Sequence, residues 1–248
     1  MAGREEILFG IHSAVEAIRA GRRTIRKIML ADKKTSRRSD SIETLARRHR
    51  IPVEQVALKT LDKITGHARH QGVALKASAL PLGNALEVGE RVRQQRRPCF
   101  ILVIENLEDP HNMGALIRTA VCAGTDYILI PKDRSVTPSP TVSRASAGAM
   151  EHAGMFMITN TVSVLKSLKD SGVWISGLDA AGGKTIYEAD LTGHIALVIG
   201  GEHKGIRPLV KKECDFLLSI PNLGRINSLN ASVAGAVAMY EALRQRSV

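Results

Sequence analysis

The sequence is poor in aromatic residues: only eight of 248 are Phe, Tyr or Trp. They are scattered, so a sheet-borne platform that stacks RNA bases is not expected. Cysteine is also scarce. Cys99, Cys122 and Cys214 stand far apart, with no CxxC pair and no Cys/His cluster. A disulfide framework and a structural zinc site are therefore not expected, and a reducing cytoplasm fits the composition. No apolar run approaches the roughly 18 residues needed to span a bilayer. The N-terminal Met-Ala-Gly-Arg-Glu-Glu has no signal-peptide core, so no membrane partner is expected. Nucleotide fingerprints are missing as well. The loop after Ile104 reads Glu-Asn-Leu-Glu-Asp-Pro-His-Asn and contains no GxGxxG. Gly182-Gly183-Lys184-Thr185 hints at a P-loop, but Leu178 stands where the leading glycine is required. GxSxG and HExxH are absent too.

What is present is an ordinary apolar content, 44 %, and a formal net charge of +11. The length suits one large domain or two modest ones. The charge is uneven. Residues 1–97 carry 21 Lys/Arg against 10 Asp/Glu, whereas residues 98–248 carry 14 of each. A positive field confined to one segment attracts phosphate backbones, and it points to nucleic acid.

The chain divides by pattern. Residues 1–77 alternate strand-like and helix-like segments, as a small basic α/β unit. Residues 78–97 read as a linker with room for a short helix, with Pro81, Gly83 and the basic run Arg91–Arg97. From residue 98 to 248 the alternation is regular. Phe100–Ile104 is a continuous apolar run, as in a strand buried on both faces. Further apolar strands begin near Tyr127, Met155, Val173, Ile195 and Phe216, and a long Ala/Val-rich helix closes the chain. This order predicts a parallel, doubly wound sheet.

Three loops follow predicted strands, where open α/β sheets place their sites. The first runs from Asn106 to Ala120. In it Asn112 reads as a helix cap or a site residue, and Arg118 as a surface ion-pair partner or a site cation. The second, Ile199–Pro208, holds Gly200, Gly201 and Gly205, which permit close backbone approach, and Glu202, a carboxylate that needs a partner at a buried strand end. The third, Ile220–Ala234, has Ser228 and Asn230 at the start of the last helix, as caps or as site residues.

Taken together, these loops resemble the SpoU/TrmH family of the SPOUT superfamily, S-adenosylmethionine-dependent RNA ribose 2′-O-methyltransferases. The likeness covers residues from about 98 to 246. Residues 1–77 look like the α/β/α substrate-binding domain of the ribosomal RNA members. The resemblance implies a C-terminal Rossmann-like parallel-sheet domain with a deep trefoil knot. It implies a homodimer through the C-terminal helix, and 23S rRNA or a ribosomal precursor particle as partner, with a guanosine ribose as target. By position it assigns Asn112, Arg118, Glu202, Ser228 and Asn230 to catalysis, and Gly200, Ile220 and Leu229 to the cofactor, with no metal. A tRNA ribose methyltransferase and a non-catalytic RNA-binding protein on the same fold are the alternatives. Departures from the family pattern are Asn222, His203-Lys204 and Ala231.

Overall fold

The computed structural model describes residues 5–32, 36–202, 204–225 and 228–247, with residues 36–40 by backbone alone. His203 and the N-terminal Met1–Arg4, both considered above, lie outside the described residues. Contacts divide the chain into two units: Met1–Pro81 with Pro138–His152, and Leu82–Thr137 with Ala153–Val248.

The first unit begins β1 (Glu5–Phe9), α1 (Ile11–Ala20), β2 (Ile25–Ala31), α2 (Ser36–Arg48), β3 (Val53–Val56), α3 (Leu58–Ile64) and β4 (Val73–Ser78). Its sheet runs β1-β4-β2-β3, with only the β2–β3 pair parallel. Strand periodicity builds two cores. Ile28 and Leu30 of β2 join Ala14, Ala17 and Ile18 of α1 and Ile42 and Ala46 of α2. Met29, between them in sequence, points the other way and packs with Leu61 of α3. The result is an α/β/α sandwich, with α1 ended by Gly21 in the left-handed conformation.

The second unit starts inside the segment read as a linker. β5 (Gly83–Asn84) pairs with a later strand, and α4 (Val88–Gln94) follows. Ala85, Val88 and Val92 are buried in the core, so residues 83–94 belong to the fold. Their apolar spacing was hidden by the flanking arginines. In chain order there follow β6 (Phe100–Glu105), α5 (Pro110–Cys122), β7 (Tyr127–Pro131), then α6 (Pro140–Ala145) of the first unit, and β8 (Met155–Ile158), α7 (Thr161–Lys169), β9 (Trp174–Leu178), β10 (Lys184–Thr185), β11 (Ile195–Gly200), α8 (Pro208–Lys211), β12 (Phe216–Ser219) and α9 (Ala231–Arg246) of the second. The sheet order is β10-β12-β9-β11-β6-β7-β8-β5, and every pair is parallel. All six residues of β6 are buried, which explains its uninterrupted apolar run as far as Glu105. The glycine pair that hinted at a P-loop has a structural use: a Cβ on Gly182 would strike the backbone of Leu217–Ser219.

Helix α6 and the turn after it belong to the first unit. There Glu151, fully buried, takes Arg23 Nε at 2.6 Å and Ser143 Oγ at 2.8 Å. Arg23 Nη1 also donates to Glu6 at 2.7 Å and to the Ser78 carbonyl at 2.8 Å. Sequence reading left 138–152 unassigned, although Ser139-Pro140 is a cap followed by an N1 proline.

Two outcomes are expected. Arg23→Met strands the buried Glu151 carboxylate and should lower stability by about 3–5 kcal/mol in denaturant titration. Burial pushes the Cys99 thiol up to about 12 and the Cys214 thiol up to about 11. A thiol reagent at pH 8 should thus label exposed Cys122 rapidly in the native protein, and Cys99 and Cys214 only after unfolding.

Candidate functional site

The C-terminal ends of β9, β11 and β12 open into a cavity of about 440 Å³, within the roughly 300–1,000 Å³ of small-molecule sites. Leu178 and Asp179 leave β9; Gly200, Gly201, Glu202 and Gly205 follow β11; Ile220 and Asn222 follow β12; and Ser228–Ala231 and Ala234 complete the lining. Glycine is needed where loops converge. A Cβ on Gly201 would overlap the Asn106 carbonyl oxygen, and one on Gly200 would strike the Gly205 backbone. Gly205 N–H donates to Gly201 O at 3.0 Å and closes the turn. Gly205 has φ +54° and faces open space, so this wall of the cavity is bare backbone.

Asp109, rather than Asn112, caps α5. Its carboxylate accepts the His111 N–H at 2.9 Å and the Asn112 N–H at 3.4 Å, with Pro110 in the first turn. The Asn112 side chain is thereby released, and its Nδ2 donates to Glu202 Oε1. This bond ties the loop after β6 to the loop after β11; Glu202 is exposed rather than buried at the strand end, so burial does not require the partner. Asn230 does cap α9: its Oδ1 accepts the Ser232 N–H at 2.9 Å, the Val233 N–H at 3.3 Å and the Ser232 hydroxyl at 2.6 Å. Capping leaves Asn230 in the cavity lining, so its two readings coincide. Asp179 pairs with Lys211, whose hydrogen bond holds the carboxyl below its usual range against the opposing effect of burial.

Of the eight residues singled out in the sequence, Gly200, Glu202, Ile220, Ser228, Leu229 and Asn230 line one cavity. Asn112 reaches it through Glu202. Arg118 does not: it is exposed on α5 and has no hydrogen-bonding or ionic partner among the described residues. Six residues along a helix turn the side chain by roughly 600°, which leaves Arg118 about 120° from Asn112. Sequence reasoning missed Leu178 and Asp179. It also missed Glu105, whose carboxylate is buried at the end of β6 and bonded by Arg207 Nε. A carboxylate closing an apolar strand was the available signal.

Residues 99–240 match the SpoU rRNA Methylase family, and residues 7–82 match an RNA 2′-O ribose methyltransferase substrate-binding domain. The chain belongs to the SpoU rRNA methylase family. A Xanthomonas campestris protein named 23S rRNA (guanosine-2′-O-)-methyltransferase RlmB is 36 % identical over 246 residues, covering 99 % of each chain. A Ralstonia nicotianae protein of the same name is 38 % identical over 99 % of this chain and 98 % of its own. A Bacillus subtilis relative, named putative TrmH family tRNA/rRNA methyltransferase YacO, is 35 % identical over 100 % and 98 %. Among solved structures, the SpoU methyltransferase AviRb of Streptomyces viridochromogenes, in complex with AdoMet, superposes with a TM-score of 0.81 at 22 % identity. That likeness covers 98 % of this chain and 91 % of AviRb, and it shows a shared fold. The SpoU match covers the parallel-sheet part of the chain, and the substrate-binding match covers the small N-terminal α/β part.

The close approach at Gly201 makes a test. Gly201→Ala forces the Asn106 carbonyl aside and should cost about 1–3 kcal/mol or more in thermal unfolding. Gly183→Ala, with nothing within 4 Å of the added carbon, should leave the melting temperature unchanged.

Proposed function

We propose that this SpoU-family chain transfers a methyl group from S-adenosylmethionine to a guanosine ribose 2′-hydroxyl in 23S rRNA. The observation that carries this is the 440 Å³ cavity whose lining gathers the second and third of the family's loops and whose Glu202 is bound by Asn112 of the first. The residues fit the cofactor. Leu178, Ile220 and Leu229 offer apolar walls to a purine. Gly200, Gly201 and Gly205 let polar ligand atoms approach main-chain groups. When bound, S-adenosylmethionine supplies a methyl group on a cationic sulfur. The chain's own tasks are alignment, proton removal and exclusion of water. The Asn112–Glu202 bond holds two of the three loops in register, and Ser228 and Asn230 present polar groups from the third. Arg118 lies outside the cavity on α5, exposed and without a hydrogen-bonding or ionic partner among the described residues, and is free to meet RNA. An arginine is a poor general base, so Arg118 orients the target hydroxyl while the proton leaves by another route.

The rRNA target is supported by relatives named RlmB at 34–38 % identity along nearly the whole chain, the basic N-terminal unit included. That unit, read in the sequence as residues 1–77, supplies most phosphate contacts. The A. aeolicus TrmH/SpoU tRNA modifying enzyme covers only 66 % of this chain. A tRNA substrate remains the second reading, because the B. subtilis relative is named for both RNAs over its full length. A homodimer through α9 is part of the proposal, supported by Val233 and Tyr240, which stand half-exposed on that helix. So is the trefoil knot of the family, in keeping with the close backbone approaches of Gly201 to Asn106 and of Gly200 to Gly205. We place the protein in the cytoplasm, where its free thiols stay reduced. No helix among the described residues is long and apolar enough to cross a membrane.

The test incubates the protein with methyl-tritiated S-adenosylmethionine and either unmodified 23S rRNA or tRNA, and then maps the label. Label on one guanosine ribose of 23S rRNA is the expected result; label in tRNA alone overturns the substrate. Arg118→Ala should lower turnover by about 10²–10⁴-fold while cofactor affinity by calorimetry stays within about twofold. Unchanged turnover removes Arg118 from the mechanism.

A further inference from the structure

A second cavity, about 790 Å³, opens beside the first and shares Glu202 with it. Its other lining residues are Asn106, Glu108, Arg134, Lys204 and Arg207. We propose that it is a phosphate subsite, which holds the RNA phosphodiester on the 3′ side of the target ribose. The proposal rests on the methyl-transfer reading above.

Three cations meet here, and one is built in. Arg207 Nε is bonded to Glu105 Oε1, and its Nη2 donates to Thr161 Oγ1 at 3.3 Å. Its Nη1 makes no hydrogen bond among the described residues. The guanidinium is thus fixed in orientation with one edge left over. Glu105 is fully buried, and its Oε2 has no hydrogen-bond partner. A buried carboxylate at the end of an otherwise apolar strand is costly, and an apolar residue of similar volume would serve stability at least as well. What Glu105 supplies is a positioned arginine. Arg134 and Lys204 are exposed, and each lacks an ionic partner among the described residues. Arg134 also holds a left-handed backbone, φ +61°, uncommon for a long side chain.

The anion this arrangement suits is a phosphodiester, which matches a planar guanidinium fork. Location selects which one. In RNA the 2′-hydroxyl and the 3′-phosphate sit on adjacent ribose carbons. A phosphate held across Glu202 from the donor cavity therefore brings the neighbouring hydroxyl to the methyl group. The cofactor's own carboxylate is the competing anion, and the test separates the two.

Binding of in vitro transcribed 23S rRNA to the full chain is measured over about 50–200 mM salt. Cofactor binding is measured by calorimetry, and methyl transfer separately. Arg134→Ala and Lys204→Ala remove exposed side chains and should not disturb folding. Each should lower the slope of log affinity against log salt by about 0.7, the value for one lost contact to a single strand. Lys212→Ala, a cation outside the cavity, should leave the slope unchanged. Because Arg207→Ala alone would strand Glu105, the double variant Glu105→Gln/Arg207→Gln tests the built-in cation and should lower the slope by a similar amount. Cofactor affinity should stay within about twofold throughout. Unchanged slopes in Arg134→Ala and Lys204→Ala overturn the subsite. So does a cofactor affinity that falls with Arg207, which would give the cavity to the donor's carboxylate. Lowered slopes in a protein that methylates neither 23S rRNA nor tRNA would leave the subsite standing and remove the proposed activity.

Discussion

The site depends on one close approach, the backbone of Gly201 lying against the carbonyl of Asn106. The two residues follow β11 and β6, the neighbouring strands at the centre of the parallel sheet. No side chain fits between them, so position 201 must be glycine. The approach fixes where each loop goes next. The β6 loop turns into α5 at Asp109, which puts Asn112 against Glu202. The β11 loop turns back at Gly205 and leaves a bare-backbone wall.

The polar residues around this contact divide the work. Asp109 and Asn230 satisfy helix N-termini, and those caps set where α5 and α9 begin. Asn112 and Glu202 satisfy one another and join two loops. Glu105 is spent on Arg207, and Arg207 then faces a cavity next to Glu202. Buried Glu105 needs its partner, whereas Glu202 and Asn230 are exposed and their bonds serve to position loops and a helix end. In the first unit, Glu151 and Arg23 follow the same rule and bind residues 138–152 to the α/β/α sandwich.

Much of this was legible in the residues. The apolar runs beginning at Phe100, Tyr127 and Ile195 gave buried parallel strands because burial on both faces leaves no alternation. The motif loops gave six lining residues of the cavity at the ends of β9, β11 and β12, because strand ends and glycines mark close approach. Other features were not legible. Residues 83–94 read as a linker because their apolar positions are interleaved with arginine and glutamate. Asn112 could be read as a cap or as a site residue, because Asp109, which does cap α5, stands three residues earlier and either residue type can cap. Arg118 shared a motif with Asn112, but helical rotation places it elsewhere.

By itself, the sequence determined the fold class, the basic N-terminal unit and the loops that line the cavity or bind its Glu202. These follow from periodicity, charge and residue type, which are local properties of the chain. Only the tertiary structure decided which polar groups meet: Asn112 with Glu202, Glu105 with Arg207, Arg23 with Glu151. Those pairs are separated by 90, 102 and 128 residues. Their meeting is set by strand order and by backbone contacts such as that of Gly201 with Asn106, which no local pattern encodes.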